Sequence, residues 1–238
     1  ITEVQRKYFR ALHNSYSFFA LYANVDNFTH AEEEIPLANR PEIDRWVISR
    51  LNSLVKEVEN AFDSYEPTRA GRAIQEFVVD ELSNWYVRLC RRRFWKGDYS
   101  EDKISAYQTL YRCLVSVAKL SAPIAPFYSD SLFCDLNDIT GNDDASSVHI
   151  SEWPVINVAE IDNDLEQRMA LAQTASSLAL SLRKKENIRV RQPLQKIMVP
   201  VINAEFEKHL KQVEDLILSE INVKELQYIK DDGVFVKS

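Results

Sequence analysis

The segment Glu81 to Trp95, ELSNWYVRLCRRRFW, holds the residue types with the clearest chemistry in this chain. It places Asn84, Trp85, Tyr86 and Trp95 among Arg88, Arg91, Arg92 and Arg93, with Lys96 directly after. From Arg88 to Lys96 there are five cations and no acid, although the 238-residue chain carries a formal net charge of -7. Guanidinium groups neutralise phosphates and aromatic planes stack on bases, so the combination suits RNA or single-stranded nucleic acid. A second cluster, Arg183-Lys184-Lys185 followed by Arg189 and Arg191, includes one acid, Glu186. Two basic patches in an acidic protein imply charge segregated over the surface, the acidic remainder repelling RNA. Cations are also favoured at a helix C-terminus by the helix dipole. That effect does not account for the aromatic residues of the first cluster.

Other chemistry is poorly served. Four glycines, at 71, 97, 141 and 233, cannot build a phosphate-cradling loop. His13, His30, His149 and His209 lie in unrelated segments without metal-ligand spacing. Asp143-Asp144 lacks the alternating acids of a calcium loop. Asp80-Glu81 and Asp231-Asp232 read as solvated pairs. The chain reads as non-catalytic by itself, without a metal site. Cys90, Cys113 and Cys134 are odd in number and read as free thiols of a reducing compartment. No apolar run approaches the roughly 20 residues of a membrane span, and no secretory signal is visible.

The elements that must position these residues are helical. Thr2 with Gln5 resembles a capping box, and Val4, Tyr8, Leu12, Phe19 and Ala23 continue at helical spacing. Pro41 opens a second helix whose stripe is Ile43, Val47, Leu51, Leu54, Val58, Phe62 and Tyr65. Pro67 opens a third with Ile74, Val78, Leu82, Trp85 and Leu89 inward, which sets Arg88 and Arg91 on the opposite flank. Ser100 caps a fourth, carrying Ile104, Tyr107, Tyr111, Leu114 and Ala118, and Pro123 and Pro126 start a fifth with Phe127, Leu132, Phe133 and Leu136. Val148 to Pro154 reads as a short extended segment. A sixth helix, about Glu160 to Glu186, has Leu165, Met169, Ala172, Ala179 and Leu182 on one side. Beyond Pro193, Ile197 to Ile202 reads as an edge strand, Asn203 caps a helix with Phe206, Leu210, Val213 and Ile217, and Val223 to Ile229 as a second strand. An Asp231-Asp232-Gly233 turn then leads toward a hairpin strand. The expected architecture is mainly α: an antiparallel helical bundle over 1–155, a connecting long helix over 156–192, and a small strand–helix–strand unit over 193–238, truncated at the C-terminus. Both ends read as cuts through a longer protein.

Five segments in order, DRWVISRLNSLV (Asp44 to Val55), ELSNWYVRLCRRRFW, SAPIAPF (Ser121 to Phe127), SVHISEWP (Ser147 to Pro154) and LRKKENIRVRQPL (Leu182 to Leu194), resemble class I aminoacyl-tRNA synthetases, specifically the isoleucyl-tRNA synthetase family. Valyl-tRNA synthetases are the nearest alternative, and the basic helix and VRQPL favour isoleucine. The resemblance implies an anticodon-binding bundle and part of a C-terminal appendage, non-catalytic alone, since the HIGH and KMSKS motifs and the editing domain are absent. It implies no cofactor in this region, with ATP and Mg used by the parent catalytic domain to make an aminoacyl-adenylate. It also implies a cytoplasmic ligase whose partners are isoleucine-acceptor tRNA and its own remaining domains, with no membrane, as a monomer. Carried over by motif, the RNA-binding candidates are Asn84, Trp85, Tyr86, Arg88, Arg91, Arg92, Arg93, Trp95 and Lys96, followed by Arg189 and Arg191. The rival class is a helical scaffold docking an acidic protein, because Arg and aromatic residues also dominate protein interfaces.

Overall fold

The computed structural model describes residues 2–229 and divides into two compact units, one ending at Asp162 and the other beginning at Asn163. The Asp231-Asp232-Gly233 turn and the strand after it lie outside the described residues, as does the capping side chain of Thr2.

In the first unit, α1 covers residues 2–26, with a π-helical turn at Gln5–Phe9. It buries Tyr8, Leu12, Ser15, Phe19 and Ala23, whereas Val4 is exposed on the rim of an apolar groove shared with Phe9, Ile74 and Ile124. The helix stops at Asn27, whose left-handed φ of 57° lets the Phe28 amide reach back to the Ala23 carbonyl. Helix α2, Glu42–Asp63, follows Pro41 and buries Val47, Leu51, Leu54 and Val58 as its spacing predicts. Its stripe ends sooner than expected. Tyr65 lies past the last turn with a left-handed φ of 56°, which swings its ring into solvent.

Helix α3 covers residues 67–95 and begins at Pro67, whose missing amide costs nothing in a first turn. Its centre, Phe77–Val87, is π-helical, and Arg88–Trp95 returns to α geometry. A π turn holds more residues than an α turn, so the inward face advances by one position across it. The buried series is therefore Ile74, Val78, Leu82, Tyr86, Cys90 and Phe94, and the expected Leu89 is only half-buried.

Helix α4, Glu101–Ser121, is capped by Ser100, whose side chain accepts from the Lys103 amide at 3.4 Å. It is covered nearly all round, by α1, α2, α3 and α5. Tyr107 stacks on Phe28 with ring centroids 4.8 Å apart, and Phe94 meets it edge-on at 5.0 Å, joining the end of α3 to the centre of the bundle. Helix α5, Pro126–Thr140, buries Leu132, Phe133 and Leu136, but Phe127, in its first turn, is exposed. Val148–Ile150 is a 3-10 turn, not an extended segment. Asp130 accepts from the Ser147 hydroxyl at 2.7 Å and the Val148 amide at 2.9 Å, and this folds the chain back onto α5.

In the second unit, α6 runs over Asn163–Lys185 and buries Leu165, Met169, Ala172, Ser176, Ala179 and Arg183, while the expected Leu182 is exposed. Strands β1 (Leu194–Pro200) and β2 (Val223–Ile229) pair in parallel, from Leu194 against Val223 to Pro200 against Ile229. Parallel pairing requires a crossover. It is made of two helices where one was expected, α7 (Ala204–Gln212) and α8 (Glu214–Ile221), with the break at Val213. Asn203 caps α7 by accepting from the Phe206 amide at 2.7 Å. Among the described residues no helix is long and apolar enough to cross a membrane.

Candidate nucleic-acid interface

The last two turns of α3 sort the basic cluster into two groups with different surroundings. Arg88, Arg91, Arg92 and Trp95 are spaced i, i+3, i+4 and i+7 along the α-helical segment, so they form one stripe about 10 Å long. All four are exposed, as are Asn84 one turn before and Lys96 just after. Arg88 Nε donates to the Asn84 carbonyl at 2.7 Å, and its guanidinium lies 5.7 Å from the centroid of the Trp85 ring. Arg91, Arg92 and Lys96 form no side-chain ion pair among the described residues. Trp95 is 56% exposed, whereas Trp46 and Trp85 are 1% and 4% exposed. An open indole plane beside the exposed guanidinium groups of Arg91 and Arg92 can offer stacking and phosphate contacts together.

The second group faces inward, and three of the expected RNA contacts belong to it. Trp85 and Tyr86 are buried, Tyr86 completely, so neither ring is accessible to a base. Arg93 turns toward Asp44, a carboxylate on α2 with no exposed surface. Its Nη1 donates to Asp44 Oδ1 at 2.6 Å and its Nη2 to Oδ2 at 2.8 Å, a bidentate fork. Nη2 also reaches Ser105 Oγ at 2.9 Å and the Asp102 carbonyl at 2.8 Å, and Nε reaches Asp102 Oδ2 at 3.1 Å. The Tyr86 hydroxyl donates to Asp44 Oδ1 at 2.8 Å, and the Ser105 hydroxyl lies 3.1 Å from Oδ2. Burial works against the Arg93 charge, but the hydrogen bonds and charge of Asp44 hold its pKa above the ordinary arginine value. Burial, and then the Asp44 charge, push the Tyr86 phenol well above its own. Arg93 is thus a clasp between α3, α2 and α4, within the same helical turns that carry the exposed stripe.

Asp44 is the residue that the sequence reading missed. It stands three, four and seven positions before Val47, Ile48 and Leu51, so it falls on the buried face of α2. An acid in line with an apolar stripe is a signal that a buried cation must meet it.

In the second unit, Lys184, Lys185, Arg189 and Arg191 are all exposed, while Arg183 is buried. Among the described residues no cluster of His, Cys, Asp and Glu is placed to hold a metal ion.

This chain, a helical bundle followed by a small α/β unit, matches one described family, the anticodon-binding domain of tRNA ligase, over residues 44–198. The chain belongs to that family. It is similar along its whole length to the isoleucine–tRNA ligases of Cytophaga hutchinsonii, at 59% identity, and Bacteroides thetaiotaomicron, at 55%. Over 95% of its length it is 43% identical to that of Dehalococcoides mccartyi. It spans 22%, 20% and 22% of those three proteins respectively, about a fifth of each.

Proposed function

We propose that this chain is the tRNA-binding region of an isoleucine–tRNA ligase, holding the anticodon stem and loop of isoleucine-acceptor tRNA. Ligation itself belongs to the remaining domains of a larger cytoplasmic, monomeric enzyme, which use ATP and Mg. The observation that carries this reading is the exposed stripe Arg88, Arg91, Arg92 and Trp95, flanked by Asn84 and Lys96. The arginines and Lys96 contact phosphates and set register on the RNA, while Trp95 offers a plane to an unpaired base. Arg93 acts at one remove, by holding the stripe in place. A net charge of -7 restricts productive RNA encounters to the basic faces.

A gel shift of the chain with transcribed isoleucine tRNA, valine tRNA and bulk RNA is the test. Preferential retardation of isoleucine tRNA supports the proposal. Preferential retardation of valine tRNA would assign the chain to the valine branch, and equal retardation of all three RNAs would remove tRNA selectivity from this region. Absence of any RNA complex, together with capture of an acidic protein, would favour the scaffold reading.

A further inference from the structure

Arg183 is 4% exposed near the end of α6, at the head of a run of otherwise exposed cations. Among the described residues it pairs with no carboxylate. Its guanidinium is instead satisfied by main-chain oxygens: Nη1 donates to the carbonyls of Arg189 at 3.2 Å and Gln192 at 3.0 Å, and Nη2 to that of Asn222 at 2.9 Å.

The same bonds fix the shape of the turn between α6 and β1. Asn187 takes a left-handed φ of 55°, and the Ile188 amide returns to the Arg183 carbonyl at 2.8 Å. The Gln192 amide donates to the Arg189 carbonyl at 3.0 Å, and Asn222 Nδ2 donates to the Val190 carbonyl at 2.9 Å. Asn222 is itself the left-handed cap of α8, and its carbonyl also accepts from the Leu194 amide at 3.1 Å. The carbonyls of Arg189, Val190 and Gln192 are thus drawn inward by Arg183 and Asn222, while the side chains of Arg189 and Arg191 remain exposed beside Lys184 and Lys185. Such a turn loses little conformational freedom when an anion binds, because its backbone is already fixed.

We propose that residues 184–191 form a second, preformed phosphate-binding element, and that Arg183 is its positioning residue, shaping the turn from below without touching the RNA. The inference rests on the reading of the chain as an RNA-binding region and adds to it a contact surface in the second unit.

The test uses the chain with transcribed isoleucine tRNA, measuring affinity across a salt series. Arg189→Ala with Arg191→Ala should weaken binding and lower the salt slope by nearly two phosphate contacts, about 0.7–0.9 each. Arg183→Met should weaken binding comparably in the native background and add nothing once Arg189 and Arg191 are already alanine. A loss of equal size in both backgrounds makes Arg183 merely structural and overturns its positioning role. If Arg183→Met fails to fold, the exposed double variant still decides the site. Unchanged affinity and slope in that double variant, with binding reduced by Arg88→Ala, Arg91→Ala and Arg92→Ala, would overturn the second element alone. Insensitivity to both sets of substitutions would overturn the RNA-binding reading itself.

Discussion

Arg92→Ala and Arg93→Ala, adjacent in sequence and identical in chemistry, should have opposite consequences. Arg93→Ala removes the cation hydrogen-bonded to Asp44, a carboxylate with no exposed surface, and leaves it the hydroxyls of Tyr86 and Ser105. Breaking a buried pair by removing one member costs about 3–5 kcal/mol, because the surviving charge stays desolvated. With a urea dependence of about 2 kcal/mol per molar, the unfolding midpoint of the first unit should fall by about 2 M. Arg92 is exposed and has no ion pair among the described residues, so Arg92→Ala should stay within about 0.5 kcal/mol of the parent. Its effect should appear in tRNA affinity instead. The assay is urea denaturation followed by circular dichroism, paired with filter binding at fixed salt. Arg93→Lys should recover only part of the stability, since an ammonium cannot span both Asp44 oxygens as a fork does. Equal stability of the two alanine variants, or a large destabilisation by Arg92→Ala, would refute the division of the cluster into clasp and contact residues.

Further outcomes follow from other contacts. Glu160 accepts from Arg112 and Asn52, and although burial opposes its charge, those bonds hold its pKa below the ordinary 4.5. A depressed carboxylate stabilises the fold above its unfolded value and loses that contribution as pH falls through its folded one. Denaturation midpoints of the parent should therefore decline on acidification below 4.5 more steeply than those of Glu160→Gln, and parallel curves would contradict the assignment. Burial pushes the thiols of Cys90 and Cys113 up to about 12, whereas Cys134 is half-buried. At about pH 8.5 a thiol reagent should modify Cys134 first and reach the other two only on unfolding, which mass mapping of the labelled peptides will show. Replacing Trp95 by Ala should weaken a stem–loop RNA about ten-fold and leave the matching blunt duplex unaffected, with Trp95→Phe restoring binding. Equal losses on both RNAs would remove stacking from the account.

Much of this fold was legible from spacing alone. The α2 and α4 stripes, the Ser100 and Asn203 caps and the second strand follow from local periodicity and capping chemistry, which act within a few residues, whereas the first strand runs over Leu194–Pro200 and not over the expected Ile197 to Ile202. The failures involve longer-range causes. The π-helical centre of α3 moved the core from Leu89 to Cys90 and Phe94, and no side-chain pattern announces that extra residue per turn. The destination of Arg93 depends on Asp44, 49 positions away, so its burial could not be read from the basic run itself. Leu182 and Arg183 exchanged their expected places because the guanidinium finds three carbonyls from the turn and from α8. At the candidate site, residue type could not separate the side chains that pack inside the bundle, Trp85, Tyr86 and Arg93, from those exposed on α3.

The central claim is that the outward stripe of α3 neutralises tRNA phosphates, and the salt dependence of tRNA affinity measures this most directly. With Arg88, Arg91, Arg92 and Lys96 exposed and Arg93 withdrawn into its clasp, the stripe accounts for about four neutralised phosphates, a share that alone costs on the order of a hundredfold in affinity between roughly 50 and 200 mM salt. Combined alanine substitution of Arg88, Arg91 and Arg92 should reduce the slope of log affinity against log salt by about two to three. A slope identical to that of the parent would contradict the account.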